Sequence, residues 1–387
     1  METDKITQPV RIAQVLGESQ NGGVEAVIRN YYRFIDRSRY QFDFYVTNTS
    51  EIIRREEIES MGGRIFLIPH YKTHLLPFEH TLYKDFVENK YLIVHSNMNT
   101  LSYFVLRQAK KAGVPIRIAH SHSTSNPEEK LRNMIKNVLR TKSTVYATDY
   151  VACSEVAGEW LFGEENFKAG KVKVLNNGVD LDKFRFNEEF RKEIREKYSI
   201  GENTVVLGHI GRLVTQKNQS FLLDVFAQYH KINPDSVLMI LGEGPLKEEL
   251  EKKAKELSLE KEIVFAGVDS NPEKYYSAFD AFLLPSLYEG LPVVLVEAQA
   301  SGLPCYVSEN VPLEAKVLPS TMYLPIRSSE DWAKAIKDGG FKTAKERIDS
   351  AASLRGGKFD LKQRATELTD IYNELILNYR ERIFGQN

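Results

Sequence analysis

Short apolar runs recur along the chain, and between them apolar residues return every third or fourth position. In the first half the runs are "RIAQVL" (11–16), "FDFYV" (42–46), "RIFLIP" (64–69), "YLIVHS" (91–96), "IRIAHS" (116–121), "YVACS" (150–154) and "VKVL" (172–175). In the second half they are "VVLGHIG" (205–211), "VLMILG" (237–242), "IVFAG" (263–267), "AFLLPS" (281–286) and "CYVS" (305–308). A run that is apolar at successive positions is a strand buried on both faces. Such strands separated by helices build a parallel sheet with helices on each side. The stretches between have helical spacing. In "NQSFLLDVFAQYHKI" Leu222, Val225, Phe226 and Tyr229 share a face, and in "GPLKEELEKKAKELSL" Leu246, Leu250, Ala254 and Leu257 do the same. The pattern runs twice, which predicts an α/β protein of two doubly wound domains facing each other across a cleft. The polar stretch "DLDKFRFNEEFRKEIREKYSIGEN" marks the join. The expected division is 1–185, 186–360 and a terminal amphipathic helix over 361–387 that packs back toward the first domain.

Length agrees with two domains, because the chain has 387 residues and one core rarely grows past ~250–300. A net charge of −1 gives no global positive field, so nucleic acid is not an expected partner. The two cysteines, Cys153 and Cys305, lie far apart, which argues against a disulfide framework or a zinc site. No run approaches the ~20 apolar residues of a membrane span, and the N-terminus has no signal-peptide core. The expectation is a cytoplasmic protein that meets a membrane only from its inner face. One segment suits that contact. In 126–142, Leu131, Met134, Ile135, Val138 and Leu139 form an apolar face, and Lys130, Arg132, Lys136, Arg140 and Lys142 crowd the remainder.

Ligands of open parallel sheets bind at the carboxyl ends of the strands, and that rule selects the candidate chemistry. "SLYEGLPVVLVEAQASGLP" (286–304) reads as a loop and a helix start, with Pro292 in the first helical turn. Gly290 and Leu291 precede that turn, whose N–H groups suit a phosphate. Glu289 lies ahead of this anion site and Glu297 inside the helix. Eight helical residues would separate two carboxylates by ~12 Å, too far for a hydrolytic pair. One elongated ligand held at both ends fits better, with a diphosphate between the two acids. In "GHIGRLVTQKN", Arg212 and Lys217 supply a planar fork and a mobile charge for that diphosphate. In "QNGGVE", Gly22 and Gly23 open a helix and permit close approach of phosphate or acceptor. His95, His120 and His122 follow strands, and a histidine there can hydrogen-bond a sugar hydroxyl. Asp180-x-Asp182 imitates a metal clamp but sits in a turn where the aspartates cap the next residues of the chain, and no metal is expected.

Together "GRLVTQKN", "LGEGPLKEEL", "NGVDLDKF" and above all "EGLPVVLVEAQASGLP" resemble the retaining nucleotide-sugar glycosyltransferases of family 4, or group 1, which have two Rossmann-like domains in the GT-B fold. "GGVE" and "IAHSHS" resemble the bacterial capsular and exopolysaccharide branch. The resemblance implies that Glu289 contacts the donor sugar and Glu297 the ribose. It also implies that Arg212, Lys217 and the amides of Gly290 and Leu291 hold the diphosphate, and that the backbone near Val268 reads the base. The family histidine maps to His120 or to His122. One departure is "VSENVPLEAKV", where the family has a glycine-rich turn before a glutamate. The implied activity is transfer of a sugar from a nucleotide-diphosphate sugar, commonly UDP-linked, to a saccharide or lipid-linked acceptor. It proceeds with retention, without metal and without a cofactor, the nucleotide-sugar being a co-substrate. Two rival readings are a nucleotide-sugar epimerase on the same fold and a non-catalytic partner that binds nucleotide-sugar or polysaccharide.

Overall fold

Thirteen parallel strands make two sheets in the computed structural model, which describes residues 8–17, 23–47, 55–122 and 139–385. In the first sheet are β1 (Val10–Gly17), β2 (Tyr40–Thr47), β3 (Arg64–Ile68), β4 (Ile93–Ser96), β5 (Ile116–Ser121), β6 (Asp149–Ala152) and β7 (Val172–Val174), in the order β3-β2-β1-β4-β5-β6-β7. In the second are β8 (Val205–Ile210), β9 (Ser236–Leu241), β10 (Ile263–Gly267), β11 (Ala281–Leu284), β12 (Cys305–Ser308) and β13 (Thr321–Leu324), in the order β10-β9-β8-β11-β12-β13. Strand order reverses between β1 and β4 and again between β8 and β11. These are the switch points where crossover helices diverge and leave room for a ligand. Strand β13 has no counterpart in the hydropathy pattern. It is an edge strand of four residues, with Thr321 buried and Met322 43% exposed, and its apolar run is only Met322-Tyr323-Leu324.

Alternate residues of the strands feed opposite faces. In the first unit Ile12, Phe42, Phe44, Ile93, Ile116 and Ile118 pack under the helices Val24–Phe34 and Leu361–Phe384. On the other face Ala13, Val15, Tyr45, Val94 and Ala119 lie under the helices Leu75–Asn89 and Ser102–Lys111. The long terminal helix buries Leu361, Ala365, Leu368, Tyr372 and Leu375, a spacing of three and four that makes one stripe. Residues 361–387 accordingly group with 1–178, and 179–360 form the second unit. The second unit starts before the 185/186 join expected from the sequence. Val179, Leu181 and Phe184 are apolar positions inside the polar stretch, and they are buried in the second core.

In the second unit, backbone packs directly on backbone where the loops after β8 and β9 meet. Gly242 has φ 148°, and a Cβ on it would sit 2.0 Å from the Gly211 carbonyl oxygen. A Cβ on Gly244 would sit 2.3 Å from the Leu213 carbonyl oxygen. Neither glycine can be replaced without moving the β8 loop.

Arg347, on the helix Ala344–Ala352, is buried and ties down the far end of the helix Val293–Ala300. Its Nε donates to the Ser301 carbonyl at 2.9 Å, and Nη2 donates to Ser301 Oγ at 2.7 Å and the Tyr276 carbonyl at 2.8 Å. Nη1 donates to the Phe279 carbonyl at 2.8 Å. Its positive charge faces the carbonyl end of that helix, while burial, with Arg191 nearby, pulls its pKa down to about 9. Arg347→Met is expected to strand several of these carbonyls, each unmet group costing about 1–3 kcal/mol. Urea unfolding should show a lower midpoint with an unchanged slope; an unmoved midpoint would mean that water replaces the guanidinium at no cost.

Candidate functional site

In the second unit the site grows from the loops that follow β8 and β11. His209, near the end of β8, is fully buried. Its Nδ1 donates to the Leu283 carbonyl of β11 at 2.9 Å, which leaves Nε2 as an acceptor for Gln219 Nε2 at 3.2 Å. The same Gln219 amide donates to the Arg212 carbonyl at 2.8 Å. Burial holds the ring neutral by lowering its pKa to about 4. The β8 loop is therefore anchored to β11 through one histidine tautomer.

Further out the two loops interlock. Asn218 Nδ2 donates to the Pro285 carbonyl at 3.2 Å, and the Leu287 N–H donates to the Gln216 carbonyl at 2.8 Å. Gln216 Nε2 donates to the Tyr288 carbonyl at 3.0 Å and lies 3.3 Å from Glu289 Oε2. The geometric centre is the ion pair between Lys217 Nζ and Glu289 Oε1 at 2.6 Å, with side chains only 16% and 6% exposed. Ser286 Oγ donates to the same carboxylate oxygen at 2.6 Å. Two residues that the sequence assigns to different parts of one ligand are thus joined to each other. Arg212 lies on the same loop, exposed, and makes no ion pair among the described residues. Gln216 and His209 were not singled out by sequence reasoning, and Ser286 entered only as the first residue of the strand-end stretch 286–290. His209 and Ser286 carried a usable signal, as polar residues within or just after apolar runs.

The helix Val293–Ala300 begins one residue later than its sequence predicts. Pro292 is its N-cap, with ψ 92°, rather than part of its first turn. Glu289 therefore stands in the loop ahead of it, and the helical separation does not apply to the two acids. Glu297 is half-buried and its Oε2 accepts from the Tyr276 hydroxyl at 2.8 Å. Burial raises the Glu297 pKa to about 7, against the opposing pull of Tyr276 and Lys183 and with a smaller push from Glu273. Gly290 is exposed, and a Cβ there would meet nothing within 4 Å. Leu291 is partly buried against the second core, and Val268, after β10, is 68% exposed.

In the first unit the polar groups collect at the carboxyl ends of β1, β4 and β5. His120 and His122 stand with ring centroids 3.9 Å apart. His120 Nδ1 meets His95 Nε2 at 3.0 Å, and His122 Nε2 meets Asn97 Oδ1 at 2.9 Å. The other nitrogen of each ring, His120 Nε2 and His122 Nδ1, is buried without a hydrogen-bond partner among the described residues. Burial keeps all three rings neutral. It lowers the His95 and His122 pKa to about 3 and the His120 pKa well below its ordinary value. Both histidines mapped by the resemblance are therefore part of one cluster. Gly23 caps the helix Val24–Phe34 at φ 77°, while Gly22 and residues 126–138 lie outside the described residues. Asp180 behaves as a cap, its Oδ1 accepting from the N–H groups of Asp182 and Lys183. Among the described residues no helix is long and apolar enough to cross a membrane.

Two doubly wound parallel-sheet units with polar loops gathered at their switch points define a class of protein that holds small polar ligands on its strand ends. Residues 21–183 match the family model described as Glycosyltransferase Family 4, and residues 190–338 match that described as Glycosyl transferases group 1. EpsF of Bacillus subtilis (strain 168), a chain named as a glycosyltransferase, is 33% identical over 94% of this chain and 96% of its own. CapH of Staphylococcus aureus, named as a capsular polysaccharide biosynthesis glycosyltransferase, is 27% identical over 94% and 98% of the two chains. An Escherichia coli UDP-Gal:alpha-D-GlcNAc-diphosphoundecaprenol alpha-1,3-galactosyltransferase is 26% identical over 95% and 98%. Among solved structures, Anabaena HepE in complex with UDP matches with a TM-score of 0.75 and 19% identity over 94% of this chain and all of that one, which shows the shared GT-B fold. The chain belongs to the group 1, family 4 glycosyltransferases, and its activity is glycosyl transfer in polysaccharide synthesis.

The raised pKa of Glu297 sets a sign for stability. Folding favours its protonated form, so stability falls as pH rises from the ordinary carboxylate value through about 7. Glu297→Gln, which removes the titration, is expected to melt above wild type beyond pH 7 and to converge on it at acid pH. Melting curves across that range check this, and parallel curves at all pH values would count against a buried, titrating Glu297.

Proposed function

We propose that this chain is a retaining, metal-independent glycosyltransferase. Its donor is a UDP-linked sugar and its acceptor a saccharide or lipid-linked saccharide. The observation that carries the reading is the Lys217–Glu289 pair, held between the two switch-point loops by Ser286 and Gln216. A diphosphate arriving there takes over part of the Lys217 charge, which frees Glu289 to accept hydrogen bonds from sugar hydroxyls. Arg212, without an ion pair among the described residues, supplies a second cation. Glu297 in its ionised form accepts from ribose hydroxyls. A UDP donor is supported by the ligand of HepE and by the name of the Escherichia coli relative, which also names an acceptor carried on diphosphoundecaprenol. A lipid-linked acceptor would bring the protein to the inner face of the cell membrane, with 126–142 as its contact.

In the transfer the bond from the anomeric carbon to the diphosphate oxygen breaks, and the acceptor oxygen bonds to that carbon on the same face. The acceptor proton passes to the departing phosphate oxygen. Because that oxygen takes the proton, the step needs no protein base, and Glu289 is left to hold sugar hydroxyls. The protein's share of the work is charge stabilisation of the leaving group and positioning.

Arg212→Ala and Lys217→Ala are expected to lower turnover by ~10²–10³, the cost of losing one preorganised charge-stabilising donor. Near-wild-type turnover in both would remove the diphosphate assignment. In a thermal-shift panel of nucleoside diphosphates, UDP should stabilise most, by ~2.7 kcal/mol at a hundredfold excess over its dissociation constant. Gly290→Ala should keep the wild-type melting temperature, since nothing in the protein contacts a Cβ there, yet lose UDP affinity. Unchanged affinity would take Gly290 out of the site.

A further inference from the structure

The three histidines of the first unit belong to a longer chain of hydrogen bonds whose direction is set by a backbone carbonyl. Asn97 Nδ2 lies 3.4 Å from the His95 carbonyl oxygen, an obligatory acceptor, so the nitrogen end of this amide faces that way. The same nitrogen donates to Gln14 Oε1 at 2.9 Å. The other end of Asn97 is then Oδ1, and His122 Nε2 opposite it must carry a proton. With Oε1 committed to Asn97, Gln14 turns its Nε2 to the Tyr372 hydroxyl oxygen at 2.8 Å. Gln14 Nε2 cannot accept in return, so among the described residues the partner left for the Tyr372 proton is His95 Nδ1, also at 2.8 Å. A neutral imidazole has one N–H and one lone pair. His95 therefore has its proton on Nε2 and donates it to His120 Nδ1 at 3.0 Å. The remaining proton of His120 must sit on Nε2, and the remaining lone pair of His122 on Nδ1.

These last two nitrogens are the buried pair without hydrogen-bond partners among the described residues. One is a donor and the other an acceptor on adjacent rings, which is the complement of a hydroxyl group. An unmet buried polar atom costs about 1–3 kcal/mol, so a donor and an acceptor on rings whose centroids are 3.9 Å apart point to a ligand that meets both. The member of the relay that comes from outside the strand ends is Tyr372. It is delivered by the helix Leu361–Phe384, while Gln14 and His95 are partners in adjacent strands.

We propose that Tyr372 is a positioning residue: acting through His95 it fixes the His120 proton on Nε2, so that His120 and His122 present a donor and an acceptor to one hydroxyl of a saccharide. The hydroxyl rests on the glycosyltransferase reading above. The relay does not, and it is read without any substrate.

The test is nitrogen-15 NMR of the histidine rings in the full chain. In the wild type His120 and His95 should appear as single neutral tautomers protonated on Nε2, and His122 likewise with Nδ1 bare. In Tyr372→Phe, His95 loses the proton donor to Nδ1, and His120 should change from one tautomer to a mixture. His95→Asn, which removes the next link, should have the same effect on His120 and serves if the first variant does not fold. A wild-type His120 protonated on Nδ1, or a His120 spectrum unmoved in either folded variant, overturns the relay. Adding a saccharide acceptor to wild type should shift His120 Nε2 and His122 Nδ1 together. An intact relay whose two nitrogens ignore every saccharide offered would overturn the hydroxyl site while leaving the tautomer assignment standing.

Discussion

A parallel sheet covered on both faces leaves polar groups one place to gather, the ends of its strands, and there each must find a partner or a ligand. In the second unit this constraint is met by charge. Lys217 and Glu289 come from loops separated by 72 residues in sequence, and their side chains are almost out of water. Removing either member of such a pair leaves the other charge stranded. The two loops therefore behave as one structure, and the hydrogen bonds of Gln216, Asn218, Leu287 and Ser286 follow from that commitment. The pair is complete without a ligand; under the proposed function it is traded for a diphosphate, which offers Lys217 more negative charge than a carboxylate does.

The first unit meets the same constraint without charge. Burial forces its three histidines to be neutral, so the cluster is ordered by the placement of protons and not by ion pairing. His209 shows the same economy in the second unit, one tautomer serving both a β11 carbonyl and a loop glutamine. Neutral histidines in a line transmit a preference for donor or acceptor over several ångströms, which a salt bridge in solvent does not do. The two units thus order their strand-end polar groups by different means: fixed charge in the second, fixed hydrogen-bond polarity in the first.

Glycines divide in a parallel way. Gly242 and Gly244 are demanded by the protein, since side chains there would collide with the β8 loop backbone. Gly290 is not demanded by anything the protein itself supplies, and its chain conformation is ordinary. The Glu297 carboxyl is similar in kind. Burial raises its pKa to about 7 against the pull of Tyr276, an arrangement that costs stability when the carboxyl is ionised.

Hydropathy by itself determined two parallel sheets, because strands buried on both faces must be apolar at successive positions, and twelve of the thirteen strands announced themselves that way. The edge strand β13, half in water, did not. The strand-end rule then picked Arg212, Glu289, His120 and His122 from sequence alone, since position after a strand is a local property, while Lys217 and Glu297 came from the spacing of the segments that follow. Tertiary structure decided who faces whom. That Lys217 binds Glu289, that the second unit starts at Val179, and that Tyr372 reaches His95 across 277 residues of chain are facts of long-range packing. Gln14 left a trace, a polar residue inside an apolar strand. Tyr372 left none, being one of 19 tyrosines on a stripe that reads only as hydrophobic. Pattern reports which face of an element is buried, whereas the partner of a buried polar atom depends on how separate elements come together, and no local spacing encodes that.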